Sequence, residues 1–271
     1  MHGVIIKDDP RYEYTESFLQ NKGYIFYNLD HKPEALDFVI FPFKGNIDAD
    51  MYNGEYFSAL KKDAVIFSGL KSAYLESCAK SGITYHAMMD DHMVKVKNAV
   101  PTSEGVIAYL AQNMGRTIAG SRILTIGYGL CGQDLSLRLR ALGAKAYALV
   151  RNAEKETMAK ADFITPIYLN ELCRLNFDAI VNTVPGCVLA NEMLDTIGGR
   201  TLLIDIASKP YGFDIAHAKK LNSKSALLPG IPGKYATATA GEILGEYIHL
   251  KLSTDSKMES IEFCNAGKEW L

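Results

Sequence analysis

The sequence predicts an α/β protein of two domains, each built around a parallel sheet. Three observations carry this expectation. Short apolar runs recur along the chain with helical patterns between them, the alternation that covers both faces of a parallel sheet with helices. Near the middle, the apolar run Arg122–Ile126 leads into Gly127-Tyr128-Gly129-Leu130-Cys131-Gly132. A segment with Leu135, Leu139 and Leu142 at helical spacing follows, then a second apolar run, Ala146–Val150. The length of 271 residues is enough for two compact units of this kind.

Taken in order, Gly3–Ile6 is expected as a strand, Arg11–Lys22 as a helix stopped at Gly23, and Tyr24–Leu29 and Leu36–Phe43 as further strands. Asn53-Gly54 gives a turn signal inside a polar loop. Asp63–Ser68, a short helix Ala73–Lys80 and the run Ile83–Met88 complete a five-stranded, flavodoxin-like layer over residues 1–98. Val100-Pro101 marks a boundary. A linking helix is expected to start at Pro101-Thr102-Ser103-Glu104, with Ile107, Leu110, Ala111 and Met114 on one face and Gly115 at its end. Residues 99–236 form the second domain, with later strands at Phe163–Ile167, Ala179–Val184, Thr201–Ala207 and Ala226–Leu228. In the last segment, 237–271, the capping-box pattern Thr239-Ala240-Gly241-Glu242 starts a helix to about Leu252. That helix is expected to return to the first domain, with a loosely attached polar tail from Ser253.

The glycine-rich stretch carries chemistry because of where it stands. Between a strand and a helix, in a strand–helix–strand unit of about 30 residues, Gly-x-Gly-x-x-Gly marks the dinucleotide-binding turn of a Rossmann doubly wound sheet. Gly127 permits the tight turn, Gly129 lets backbone approach a pyrophosphate, and Gly132 lets the helix pack close. Gly127, Tyr128, Gly129, Leu130, Cys131 and Gly132 are therefore candidate cofactor-binding residues. An NAD site usually places an acid at the end of the second strand. Here the chain reads Val150-Arg151-Asn152, with no acid before Glu154. Arg151 is then a partner for a 2′-phosphate, and the expected cofactor is NADP, with NAD the alternative. The plainer alternatives for Arg151 are a solvated loop residue or a stack on adenine. Asn152, Thr183, Val184, Pro185, Ala207 and Ser208 complete the candidate cofactor set, at strand ends where ligands of such sheets bind.

Two further loops place cations at strand ends. Asp205-Ile206-Ala207-Ser208-Lys209-Pro210 puts a hydroxyl and an ammonium there. Pro229-Gly230-Ile231-Pro232-Gly233-Lys234-Tyr235 is expected as a loop whose N–H groups and Lys234 can hold an anion. His86 also stands at a strand end but is assigned no catalytic role. No Ser-His-Asp spacing, H-E-x-x-H or metal-ligand cluster is present in the sequence. A net charge of −2 and a pI near 6.3 give no electrostatic case for nucleic acid or an anionic membrane. No apolar run reaches about 18 residues and no basic-then-apolar segment opens the chain, so a cytoplasmic location is expected. The five cysteines are scattered without a C-x-x-C pair, as reduced thiols would be.

In their joint order these segments resemble the family of dipicolinate synthase A subunits. The matching stretches are Phe67-Ser68-Gly69, Asn98-Ala99-Val100-Pro101-Thr102-Ser103-Glu104-Gly105, the glycine motif, Asn182-Thr183-Val184-Pro185, Asp205–Pro210 and Pro229–Lys234. The resemblance covers roughly 36–252. It departs at Lys7-Asp8-Asp9-Pro10-Arg11, where the family pattern is Gly-Gly-Asp-x-Arg. What the resemblance implies is oxidation of a dihydrodipicolinate-type intermediate to dipicolinate in spore-forming bacteria, with NAD(P) accepting hydride. It also implies that the partner is a flavoprotein-like B subunit, and a homo-oligomer is possible. The small dicarboxylate substrate needs cationic partners, for which Arg11, Lys209 and Lys234 are the candidates. Two alternatives stand beside this expectation. One is another two-domain dehydrogenase of a layout resembling shikimate dehydrogenases; the other is a nucleotide-binding regulatory subunit without turnover.

Overall fold

The computed structural model describes residues 1–27, 35–44, 47, 58–79, 83–222 and 224–265, with side chains as far as Thr254. The Asn53-Gly54 turn signal and the ends of two expected elements, at Leu29 and Lys80, lie outside these residues. The elements run β1 (His2–Ile5), α1 (Arg11–Asn21), β2 (Ile25–Phe26), β3 (Leu36–Ile40), β4 (Leu60–Ser68), α2 (Ala73–Ala79), β5 (Thr84–Ala87) and a 3₁₀ turn Met88–Asp90. Then come α3 (His92–Asn113), β6 (Arg122–Ile126), α4 (Leu130–Ala141), β7 (Lys145–Leu149), α5 (Ala153–Ala161), β8 (Thr165–Ile167) and α6 (Leu169–Leu172). The remainder is β9 (Ala179–Asn182), α7 (Asn191–Ile197), β10 (Leu202–Asp205), α8 (Ile215–Leu221), β11 (Ala226–Leu227), α9 (Ile231–Tyr235) and α10 (Thr237–Asn265). The chain divides into two compact units, Met1–Lys95 with Thr237–Leu271, and Val96–Ala236.

The N-terminal unit holds a five-stranded parallel sheet in the order β2-β1-β3-β4-β5, the flavodoxin order. Its centre is apolar on both faces. Val4, Val39, Ile66 and Leu75 pack on one side, and Phe38, Ile40, Val65 and Phe67 with Tyr12, Leu19, Tyr247 and Ile248 on the other. Helix α1 ends where Gly23 takes φ +87°, a conformation that a Cβ would penalise. Helix α10 lies against α1. A side chain at Gly241 would strike the carbonyl oxygen of Arg11, and one at Gly245 would press on the Phe18 ring.

The second unit holds six parallel strands in the order β11-β10-β9-β6-β7-β8, the Rossmann arrangement. The chain steps outward from β6 through β7 to β8, then returns to β9 on the other side of β6. The carboxyl ends of β6 and β9 therefore flank the switch point, where ligands of open sheets bind.

Four expectations about elements need correction. Helix α3 starts at His92 rather than at Pro101. The Asp91 carboxylate accepts from the Met93 N–H at 2.8 Å near the start, and Val94, Ala99, Val106 and Leu110 are buried along it. That burial outweighs the one backbone bond proline removes. Helix α10 starts at Thr237 and runs to Asn265, so the polar residues after Ser253 continue the helix. Phe163 does not open a strand. It takes φ +57° just after α5, 77% exposed, while the Ile164 N–H returns to the Ala159 carbonyl at 2.8 Å. This is a helix-ending position usually filled by glycine, and the apolar ring there imitates a strand start. Finally, Pro229–Lys234 is not an open loop: Gly230 is left-handed at φ +67°, and Ile231–Tyr235 form a helical turn anchored by buried Ile231.

Candidate functional site

The three glycines of the βαβ turn differ in what a side chain would meet. At Gly127, φ is +92° and a Cβ would strike Val184 and stand 2.9 Å from Thr183 Oγ1. At Gly132 it would run into the carbonyl oxygen of Gly127, so α4 is tucked against the turn. Packing within the chain explains both. Gly129 differs: it caps α4 in extended backbone (φ −92°, ψ −164°), and a Cβ there meets nothing within 4 Å. No packing within the chain accounts for its missing side chain, and the space there is open. The first-turn N–H groups of α4, at Leu130, Cys131 and Gly132, have no intrahelical acceptors and carry the positive end of the helix dipole.

Around this turn the other candidates fall into two groups, those spent inside the fold and those left open. Tyr128 is spent: its ring is buried, and its hydroxyl donates to Asp162 Oδ2 at 2.7 Å, an oxygen that also accepts from Gln133 Nε2 at 2.8 Å. Burial, and then the Asp162 carboxylate, push its pKa well above the ordinary tyrosine value. Its ring and hydroxyl are therefore taken up within the fold, which leaves only its backbone as a candidate contact. Thr183 donates its hydroxyl to the Ile126 carbonyl at 2.8 Å, and Asn152 caps α5 by accepting from the Lys155 N–H at 3.0 Å. Burial and Asp134 raise the Cys131 thiol, which keeps it a neutral group. Arg151, at the end of β7, is exposed. Leu130 is half-exposed at the turn itself.

Sequence reasoning missed the groups that join the two neighbouring loops. Asp205, 1% exposed at the end of β10, accepts from Asn182 Nδ2 (3.0 Å), the Ala207 N–H (2.9 Å) and the Gly212 N–H (2.7 Å). Asn182 in turn donates to the Val184 carbonyl at 2.9 Å and accepts from the Val184 N–H at 3.2 Å. A side chain at Gly212 would collide with Asn182. The Gly186 N–H closes the arrangement by donating to the Pro210 carbonyl at 2.6 Å. The loops carrying Thr183–Pro185 and Ala207–Lys209 are thus one braced surface beside the glycine turn. The signal was in the sequence: an acid ending an apolar strand, with glycine seven residues on.

Beyond Ala207, which is buried, Ser208 and Lys209 are exposed, and Lys234 is exposed on α9. Neither lysine has an ion-pair partner among the described residues. Arg11, in the N-terminal unit, is engaged. Its Nε and Nη2 donate to the two oxygens of Asp9 at 2.7 Å each, and its guanidinium lies 3.6 Å from the Phe43 ring centroid. Burial works against the Asp9 charge, but the Arg11 fork, the Arg11 N–H and the Lys44 charge outweigh it and hold the carboxyl below its ordinary range. Among the described residues no helix is long and apolar enough to cross a membrane.

The two parallel sheets and the glycine turn define the fold of two-domain dehydrogenases. The D-lactate dehydrogenase of Escherichia coli shares it at a TM-score of 0.64, with 14% identity and coverage of 95% of this chain and 97% of that one. Sequence narrows the class further. No protein-family model matches, but the A subunit of dipicolinate synthase from Bacillus subtilis (strain 168) is 31% identical over 245 residues, 83% of this chain and 81% of the relative. The crystal structure of the Bacillus subtilis dipicolinate synthase A chain is similar at a TM-score of 0.83, with 25% identity over 95% of this chain and 97% of that one. The chain belongs to the family of dipicolinate synthase A subunits.

Proposed function

We propose that this chain oxidises a dihydrodipicolinate-type substrate to dipicolinate, with NADP as the hydride acceptor and NAD as the alternative. The observation that carries the reading is the open space at Gly129, at the start of α4 and the switch point of a Rossmann sheet. Membership of the family of dipicolinate synthase A subunits supports that substrate class. The nicotinamide, when bound, supplies the acceptor for hydride. Loss of hydride and a proton aromatises the dihydropyridine ring, so the chain's task is chiefly to bind and orient.

The residues fit that task. The α4 N-terminus and the Gly127–Gly129 backbone offer N–H groups to a pyrophosphate. The braced Thr183–Pro185 and Ala207–Ser208 loops would contact the bound cofactor through backbone more than side chains, since Asp205 and Asn182 are spent on joining them. Lys209 and Lys234 are exposed cations for substrate carboxylates. Arg11 keeps donors beyond those given to Asp9, since a guanidinium carries five N–H groups. In this reading the protein acts in the cytosol of a spore-forming bacterium beside a flavoprotein-like B subunit.

The test is to supply the purified chain with the dihydro substrate and NADP or NAD, with and without a B-type subunit. Reduced nicotinamide and dipicolinate should appear in equal amounts; no reduced nicotinamide under any condition contradicts the reading. Cofactor choice is tested separately. Arg151→Ala should cost about 1.5–3 kcal/mol of NADP affinity, the worth of a charge-assisted contact, and leave NAD unchanged. An unchanged NADP-to-NAD ratio would remove Arg151 from the site.

A further inference from the structure

The N-terminal sheet has its own switch point, between β1 and β3, and a carboxylate already sits there. Asp8 Oδ1 accepts from the Phe43 N–H at 2.6 Å, and Oδ2 from the Lys44 N–H at 3.4 Å. Two consecutive backbone N–H groups on one carboxylate form an anion-binding concavity. It lies beyond the carboxyl end of β3, where open sheets receive ligands. We propose that the Phe43–Lys44 N–H pair is a carboxylate subsite occupied in cis by Asp8, and that Asp8 thereby sets the affinity for one carboxylate of the substrate. The proposal rests on the dicarboxylate reading above.

The pair does not depend on Asp8 for its shape. The Phe43 carbonyl accepts from the Leu70 N–H at 2.9 Å, and the Phe43 ring lies under the Arg11 guanidinium. Gly69 has no side chain because that ring fills the space. The Tyr12 hydroxyl holds the adjoining strand end by donating to the Phe41 carbonyl at 2.9 Å. Two cations stand near the pair: Arg11 lies against Phe43, its fork taken by the Asp9 carboxylate, and the Lys44 charge reaches that same carboxylate. Asp8 itself is exposed. A substrate carboxylate that takes its place forms the same kind of contact, so exchange costs little beyond the local concentration of the tethered group.

The test is calorimetry on the full chain with saturating NADP, for wild type, Asp8→Gly and Asp8→Asn, using dipicolinate and the monocarboxylate picolinate. Asp8→Gly should bind dipicolinate about tenfold more tightly, about 1.4 kcal/mol. Picolinate should gain no more than about twofold, and Asp8→Asn should fall between glycine and wild type, because its amide oxygen still accepts from an N–H. A folded Asp8→Gly with unchanged or weaker dipicolinate affinity, or no dipicolinate binding by either protein, overturns the subsite and leaves Asp8 as a loop tie. If the glycine variant does not fold, Asp8→Asn decides: tighter dipicolinate binding supports the subsite and an unchanged affinity overturns it. Absence of hydride transfer in wild type would sink the functional reading alone, since the calorimetric comparison still decides the subsite.

Discussion

At the scale of single residues, the useful distinction is between groups spent on the fold and groups left over for a ligand. The sequence could nominate Tyr128, Thr183 and Asn152 by position, but not show that their side chains already have partners inside the protein. Position in a motif reports the backbone path; Tyr128 and Thr183 turn inward from it, and the exposed Asn152 is tied to the start of α5. Asp205 shows the converse. Its motif was visible, while its partners Asn182 and Gly212 lie 23 and 7 residues away and meet it only in the folded chain. Removing that carboxylate should be costly. Asp205→Ala leaves three donors without their acceptor, at about 1–3 kcal/mol for each buried unsatisfied group. The expected loss is about 3 kcal/mol or more, read as a lower midpoint in chemical denaturation. An unchanged midpoint would show that water or a loop shift replaces Asp205.

At the scale of elements, the strands and the βαβ turn were legible because parallel strands buried on both faces read as short apolar runs. Strand order was not legible, since hydrogen-bond partners across a sheet leave no mark in a single sequence. Boundaries failed where one residue serves two patterns. Pro101 marks an end by rule but sits inside α3, and Phe163 is apolar like a strand residue but ends a helix. Thr239–Glu242 matched a capping box, yet Gly241 is there for a different reason: α10 passes the backbone of α1, and the Thr15 hydroxyl donates to the Gly241 carbonyl at 2.9 Å. Gly241→Ala and Gly245→Ala therefore separate two kinds of contact. The first drives a methyl into a backbone oxygen, and the second into a phenylalanine ring that can turn aside. Overpacking of the first kind should cost about 1–3 kcal/mol and exceed the second. Thermal unfolding of the two variants checks the order, and equal midpoints would contradict the account of close α1–α10 packing.

For the whole molecule, pH reports how burial is distributed. Tyr12, Tyr128 and Tyr247 all have raised pKa values, with burial as the largest cause in each; Asp8, Asp162 and Asp91 respectively add to it. A raised folded-state pKa gives stability that is complete below the unfolded value and is lost as pH rises through the window between them. Stability should thus hold to the unfolded tyrosine value of about 10 and decline above it. Denaturant midpoints measured across that range check this, and a flat profile to stronger alkali would contradict the buried placement of the three hydroxyls. The central claim is the nucleotide site. Titrating NADPH into wild type and Gly129→Val, with a melting curve for each, tests it most directly. The extended backbone at Gly129 accepts a side chain and the space around it is empty, so the variant should fold with an unchanged melting temperature. The valine would then stand where the pyrophosphate must lie, and NADPH binding should be lost. Equal NADPH affinity in the two folded proteins would contradict the assignment of the Gly127–Gly132 turn as the dinucleotide site.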